Sequence, residues 1–287
     1  MPSEPCSDTL PDPRNRIGVL VIHGMTGTPL EVRPVSRFLK RQGYQVAIPL
    51  LRGHGEGHRE LLATTWPDWL AGVREEADKL CAKCDQVFVV GLSASALLAT
   101  LVAVENPRID GLILLSTHLG FWRPESLPWN HFLLHPVMRI PWLRRHSWWT
   151  EQPPYGIKDI RMQKNIERAI EASKGGETGA HGLFRTYVET IHQGKLLIAE
   201  SLRQAPRVTA PALIIHSMED TMFGLKNATR IYSRLGSSSK EIIFITGCDH
   251  VMTVDLRRDD VARMVHEFIS RTGRFSPIKE PSSCPTP

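Results

Sequence analysis

Val87-Phe88-Val89-Val90-Gly91-Leu92-Ser93-Ala94-Ser95-Ala96 decides how this chain reads. An uninterrupted apolar run such as Val87 to Val90, within a strand read from Gln86 to Val90, fits a strand covered on both faces, as in a parallel sheet. Gly91 ends it, and Ser95 to Glu105 is a helix of Ala, Leu, Thr and Val. A serine at such a strand-to-helix turn, between small residues, is the setting of a nucleophile elbow. The turn holds the hydroxyl beyond the sheet edge, and the helix start behind it favours developing negative charge. Small residues two before and two after are needed because the two backbones nearly touch there. The usual pattern is G-x-S-x-G; here the last position is Ser95. The competing reading is a serine that only caps the helix.

Outward from this segment, strands and helices alternate. Ile17–Ile22, Gln45–Pro49 and Gly111–Leu115 read as strands, with helices over 30–42 and from Thr65, whose buried stripe is Trp69, Val73, Ala77 and Leu80. Alternation resumes with strand Ala212–His216, helix 225–235, strand Glu241–Thr246 and helix 256–271. The fold class is therefore α/β, a mostly parallel sheet flanked by helices. Its functional groups belong at the carboxyl ends of the strands. Residues 1–15 read as a flexible arm, 16–117 and 206–273 as the core, and 274–287 as a tail. Between them, 118–205 is too long for a loop and reads as an inserted helical lid over the strand ends. Its first half is broken by prolines, its second half is helical, with a break at Lys174-Gly175-Gly176.

The 287 residues are 41% hydrophobic and 23% charged, which excludes disorder, collagen and coiled coil for most of the chain. The net charge is +5, and 118–205 carries most of the excess with 12 Lys/Arg against 8 Asp/Glu. No run of five basic residues exists, so nucleic acid is not an expected partner. No apolar stretch is long enough to span a bilayer, and Met1 to Pro5 lacks the pattern of a secretory signal. The five cysteines are irregularly spaced, as in a reducing compartment, and a cytoplasmic protein is expected. Cys81-Ala82-Lys83-Cys84 has no second pair with which to complete a zinc site and reads as a helix end.

A reactive serine needs a base held by an acid. In this sheet class the order is serine, acid, histidine. Asp220 follows the strand Ala212–His216, and His250 follows Glu241–Thr246, each just past a strand end on the side where Ser93 lies. Glu219 and Asp249 compete for the acid role; Asp249 is too close to His250 to orient its ring well. Val21-Ile22-His23-Gly24-Met25-Thr26-Gly27 is a strand ending in a glycine turn that can aim the Met25 amide at the same point as the Ala94 amide, making an oxyanion hole. His54 and His58 stand in a mobile glycine loop and read as support for the site wall. His216 is a strand residue near the acid loop, and Cys248 a buried filler.

His23-Gly24-Met25-Thr26-Gly27, Leu51-Arg52-Gly53-His54-Gly55, Gly91-Leu92-Ser93, Pro206-Arg207-Val208-Thr209-Ala210-Pro211, Glu219-Asp220 and Asp249-His250-Val251-Met252-Thr253 together resemble the α/β-hydrolase superfamily. Within it they are most similar to the carboxylesterase and monoacylglycerol lipase group. The resemblance covers 16–117 and 206–272; the insert matches only in position and length. It implies Ser93 as nucleophile, His250 as base, Asp220 as acid, and the Met25 and Ala94 amides as oxyanion donors. Where this chain has Ser95 and Ala96 the family pattern has Gly. It also implies hydrolysis of carboxylic esters, acyl or lipid-like, through an acyl-enzyme, with no metal or organic cofactor. An acyltransferase or thioesterase using Ser93, or a binding protein without turnover, are the alternatives.

The insert holds five of the seven tryptophans, at 122, 129, 142, 148 and 149. An apolar inner face favours a greasy substrate, with Trp122 and Trp129 the candidates to touch it. Exposed tryptophans with Arg144 and Arg145 suit peripheral contact with an anionic membrane. The alternative is that they form the insert's own core. Oligomeric state is not legible.

Overall fold

The computed structural model describes residues 16–123, 134–172 and 185–273. Six strands form one parallel sheet: β1 (Ile17–Ile22), β2 (Gln45–Ala47), β3 (Gln86–Leu92), β4 (Ile109–Leu115), β7 (Ala212–Ser217) and β8 (Lys240–Ile245). Their order is β2-β1-β3-β4-β7-β8, every pair parallel. The chain steps one way from β1 to β2, then crosses back to β3. The topological switch point therefore lies between β1 and β3, where ligands bind in open α/β sheets.

The strands read as continuous apolar runs because each face buries its own set. Leu20, Ile22, Val87, Val89, Leu112, Leu114 and Ile214 pack with α3 (Trp66–Lys83), α4 (Ser95–Glu105), α8 (Val188–Gln204) and α9 (Lys226–Arg234). The alternate residues, among them Val19, Val21, Phe88, Val90, Ile113 and Leu213, pack with α1 (Arg33–Arg41) and α10 (Arg258–Thr272). At the start of α3, Thr65 and Asp68 form a capping box, each bonding the other's end of the first turn. Trp69, Val73, Ala77 and Leu80 are buried as expected, and so are Cys81 and Cys84 at the end of α3. The expected helix over 30–42 begins instead as a 3-10 turn over Pro29–Val32 and becomes α-helical from Arg33.

Between β4 and β7 the described residues form α5 (Leu134–Arg139), α6 (Pro141–His146), β5 (Trp148–Thr150), α7 (Ile160–Ala172), β6 (Arg185–Tyr187) and α8. β5 and β6 pair antiparallel as a two-stranded ribbon that the helical expectation for this segment did not include. Three-residue strands carry too little periodicity to read from sequence. Trp129, the Lys174–Gly176 break, the N-terminal arm and the C-terminal tail lie outside the described residues. Among the described residues, no helix is long and apolar enough to cross a membrane, and no His, Cys, Asp and Glu cluster is suited to a metal.

Candidate active site

Ser93 sits between β3 and α4 with φ +57°, a left-handed conformation that non-glycine residues rarely adopt. Two contacts hold it there: the Ser93 N–H donates to Leu115 O at 2.8 Å, and Ala96 N–H donates to Ser93 O at 3.2 Å. The close approach of strand and helix falls on Gly91, where a Cβ would stand 2.4 Å from Ser95 O and 2.6 Å from Ala96 Cα. Ser95, in the position where the family has glycine, is buried at the first turn of α4.

The Ser93 hydroxyl donates to His250 Nε2 at 2.9 Å, and His250 Nδ1–H donates to Asp220 Oδ2 at 2.7 Å. The other Asp220 oxygen accepts the N–H groups of Met222 at 2.9 Å and Phe223 at 2.8 Å. Burial opposes charge on Asp220, but the His250 ring, His216 and the Phe223 N–H outweigh it and hold the carboxyl below its usual range. Burial likewise opposes protonation of His250, yet the Asp220 carboxylate beside it lifts the ring above an ordinary histidine.

The competing acids have other partners. Glu219 accepts the Gly247 N–H at 3.0 Å and pairs with Lys158. Asp249 accepts from Thr221 N at 2.7 Å, Thr221 Oγ1 at 2.8 Å and the His250 N–H at 2.7 Å, tying the acid loop to the histidine loop. His216, in β7, lies behind Asp220 with its Nε2 3.5 Å from Asp220 Oδ2. Cys248 is fully buried, and burial pushes its thiol up to about 11.

The turn after β1 is fixed on every side. Gly24 O accepts the Gly27 N–H at 3.2 Å and His23 Nδ1–H at 2.8 Å. The Gly24–Met25 peptide is thereby anchored by its carbonyl, and its N–H, that of Met25, points the opposite way. His23 Nε2 accepts the Leu51 N–H at 3.2 Å, so the ring is neutral with its proton on Nδ1. Burial, with His54 beside it, pushes His23 down to about 3. His54, 1% exposed, donates from Nε2 to Met25 O at 2.5 Å. It braces this turn, with Leu51, Arg52 and Trp69 against it.

A cavity of about 150 Å³ opens onto Ser93 and His250. Met25, Leu30, Ile166, Ile191, Met222 and Val254 make its wall largely apolar, and the insert supplies two of these six. Trp122 lines it, its ring 4.5 Å from Phe223 and 5.3 Å from His118. The buried tryptophan readings divide: Trp149 packs with Met138, Val188 and Ile191, whereas Trp142 is 64% and Trp148 48% exposed. Two carboxyls that no motif singled out, Glu31 and Glu151, also line the cavity. Glu151 accepts from Thr186 Oγ1 at 3.1 Å and Thr26 Oγ1 at 3.4 Å.

The profile described as "Hydrolase_4: Serine aminopeptidase, S33" matches residues 13–257. The chain belongs to that family. This hydrolase is 27% identical to the thermostable monoacylglycerol lipase of Bacillus sp. (strain H-257) over 89% of the chain and 91% of the relative. It is 24% identical to a carboxylesterase of Bacillus subtilis (strain 168), over 88% and 92%. A solved structure from work on the metagenome-derived lipolytic enzymes LipS and LipT superposes with a TM-score of 0.72 at 29% identity, covering 89% of this chain and 94% of that one. The protein is an enzyme, a serine hydrolase with the α/β-hydrolase fold, of the monoacylglycerol lipase and carboxylesterase type.

Proposed function

We propose that this hydrolase cleaves carboxylic esters with an apolar acyl part through a Ser93–His250–Asp220 triad. The observation that carries the reading is the unbroken hydrogen-bond chain from Ser93 Oγ through both ring nitrogens of His250 to Asp220. Ser93 Oγ attacks the ester carbonyl while its proton passes to His250 Nε2. The carbonyl oxygen takes the negative charge, and the amides of Met25 and Ala94 are the donors assigned to it. His250 then gives the proton to the departing alcohol. Water, deprotonated by the same ring, attacks the acyl-enzyme and frees Ser93. Asp220 keeps its charge throughout and holds the ring with Nδ1 protonated.

The apolar cavity wall supports an acyl chain as the buried part of the substrate. Trp122 stands where it would flank that chain, and the segment 118–205 acts as the lid that closes over it. The similarity to a monoacylglycerol lipase and a carboxylesterase supports an ester over an amide or peptide.

A fluorophosphonate probe with adduct mapping by mass spectrometry tests the mechanism. Labelling is expected on Ser93 alone, with hydrolysis of p-nitrophenyl esters and monoacylglycerols by the same preparation. Labelling elsewhere, or no labelling and no ester hydrolysis, would refute it. Exclusive turnover of thioesters, or transfer to an added alcohol in preference to water, would favour the acyl-transfer alternative.

A further inference from the structure

Glu31 lies in the 3-10 turn Pro29–Val32, yet its side chain reaches back seven residues. Its Oε2 accepts the Gly24 N–H at 2.9 Å. The carboxyl occupies the hollow of the turn: a Cβ on Gly27 would fall 2.0 Å from Glu31 Cδ, and one on Gly24 3.0 Å from Oε2. Gly24 is thus gripped at both ends, its N–H by Glu31 and its C=O by His23 and Gly27. The peptide between those grips and the next carries the Met25 N–H. Glu31 also borders the cavity shared with Ser93 and His250.

We propose that Glu31 is a positioning residue that closes the oxyanion turn by accepting the Gly24 N–H, and that a negative charge on it at the cavity wall suppresses turnover. This rests on the serine-hydrolase mechanism above. Both protonation states accept the Gly24 N–H. They differ in what they present to the cavity, because an ionised carboxylate would line the same cavity in which the oxyanion must form, and like charges repel. Burial pushes the carboxyl up to about 7, against the Gly24 N–H bond, and Glu151 adds to the rise while His250 reduces it.

The titratable groups facing Glu31 are few. Glu151 comes from the chain after β5 and is itself raised by burial. His250 comes from the loop after β8. His118 stands beyond His250 and is pushed down to about 3 by burial and by that ring. Tyr155 stands near Glu151 and is raised by burial. Behind the turn, His23 and His54 are both pushed down by burial. The rising limb of the pH profile then belongs to His250, which must lose its proton to act as base. The falling limb belongs to Glu31.

The test compares wild type, Glu31→Gln and Glu31→Ala by kcat and KM for a p-nitrophenyl ester from pH 5 to 10, with Ser93 labelling as the count of competent sites. Wild-type kcat/KM is expected to fall by about tenfold above neutral pH. Glu31→Gln, neutral and of the same shape, is expected to abolish that fall while keeping activity near pH 6.5 within about threefold. Glu31→Ala leaves the turn unpropped and is expected to lose about tenfold in kcat at every pH, with KM changed little, since misaiming a donor costs less than the 10²–10³ for removing one. A Glu31→Gln profile that keeps the wild-type alkaline fall overturns the proposal, as does Glu31→Ala activity equal to wild type. If the alanine variant does not fold, the glutamine profile decides alone. Unlabelled wild type overturns the hydrolase mechanism and this proposal with it; labelled wild type with an unaltered glutamine profile overturns the role of Glu31 alone.

Discussion

At the scale of single residues, the site separates carboxylates that look alike in sequence by what each one touches. Glu219-Asp220 is an acidic pair in which only Asp220 meets the histidine. Asp220→Ala is expected to lower kcat by about 10³–10⁴, the range seen when a triad acid is lost. Glu219→Ala, which breaks an ion pair with Lys158 and one bond to a loop amide, is expected to stay within about fivefold of wild type. Steady-state kinetics of the two purified variants decide, and equal losses would refute the assignment of Asp220. The meeting of Ser93, Asp220 and His250 was legible because the α/β pattern tells where strands end and the chemistry tells which side chains belong there. Glu31 and Glu151 were not. Each sits in a stretch whose local pattern has another explanation, and nothing in a linear sequence reveals that a carboxyl will line a cavity beside segments more than 100 residues away.

At the scale of elements, the strand–helix junction rests on one glycine more than on the residue that departs from the family pattern. A methyl group on Gly91 would meet backbone atoms of Ser95 and Ala96, which cannot move without carrying α4 along. Gly91→Ala is expected to cost about 3 kcal/mol of stability, the range for overpacking a tight interior, and to abolish fluorophosphonate labelling in whatever protein still folds. Ser95→Gly is expected to change the labelling rate by less than about threefold, since Ser93 already holds its hydrogen bond to His250 with Ser95 in place. Thermal unfolding monitored by circular dichroism, with labelling kinetics on the folded fraction, measures both. The strands of the main sheet were readable within two residues at most ends because residues facing either side are equally apolar. The β5–β6 ribbon was not, since its order comes from pairing between residues far apart in the chain, Trp148 with Tyr187 and Thr150 with Arg185, and not from any pattern within it.

At the scale of the whole molecule, Asp255 joins the inserted segment to the histidine loop. It is fully buried and accepts four backbone N–H groups, from Lys158 at 3.0 Å, Asp159 at 2.8 Å, Asp249 at 2.6 Å and Leu256 at 2.8 Å. Gly156 O adds a bond from the Val251 N–H at 2.9 Å, and a Cβ at Gly156 would stand 3.0 Å from His250 Cβ. Asp255→Ala strands those donors in the interior and is expected to cost about 3 kcal/mol, the scale of losing one partner in a buried charged network. It is also expected to lower kcat about tenfold by loosening His250, while Asp255→Asn, which keeps one acceptor oxygen, loses less of both. Unchanged melting and unchanged kcat in the alanine variant would show that Asp255 does not serve as this link.

That shared anchor has a mechanical consequence. The edge at 156–159 and the loop that carries His250 are bolted to the same carboxylate, so a displacement of one is transmitted to the other through Asp255 and the Gly156–Val251 bond.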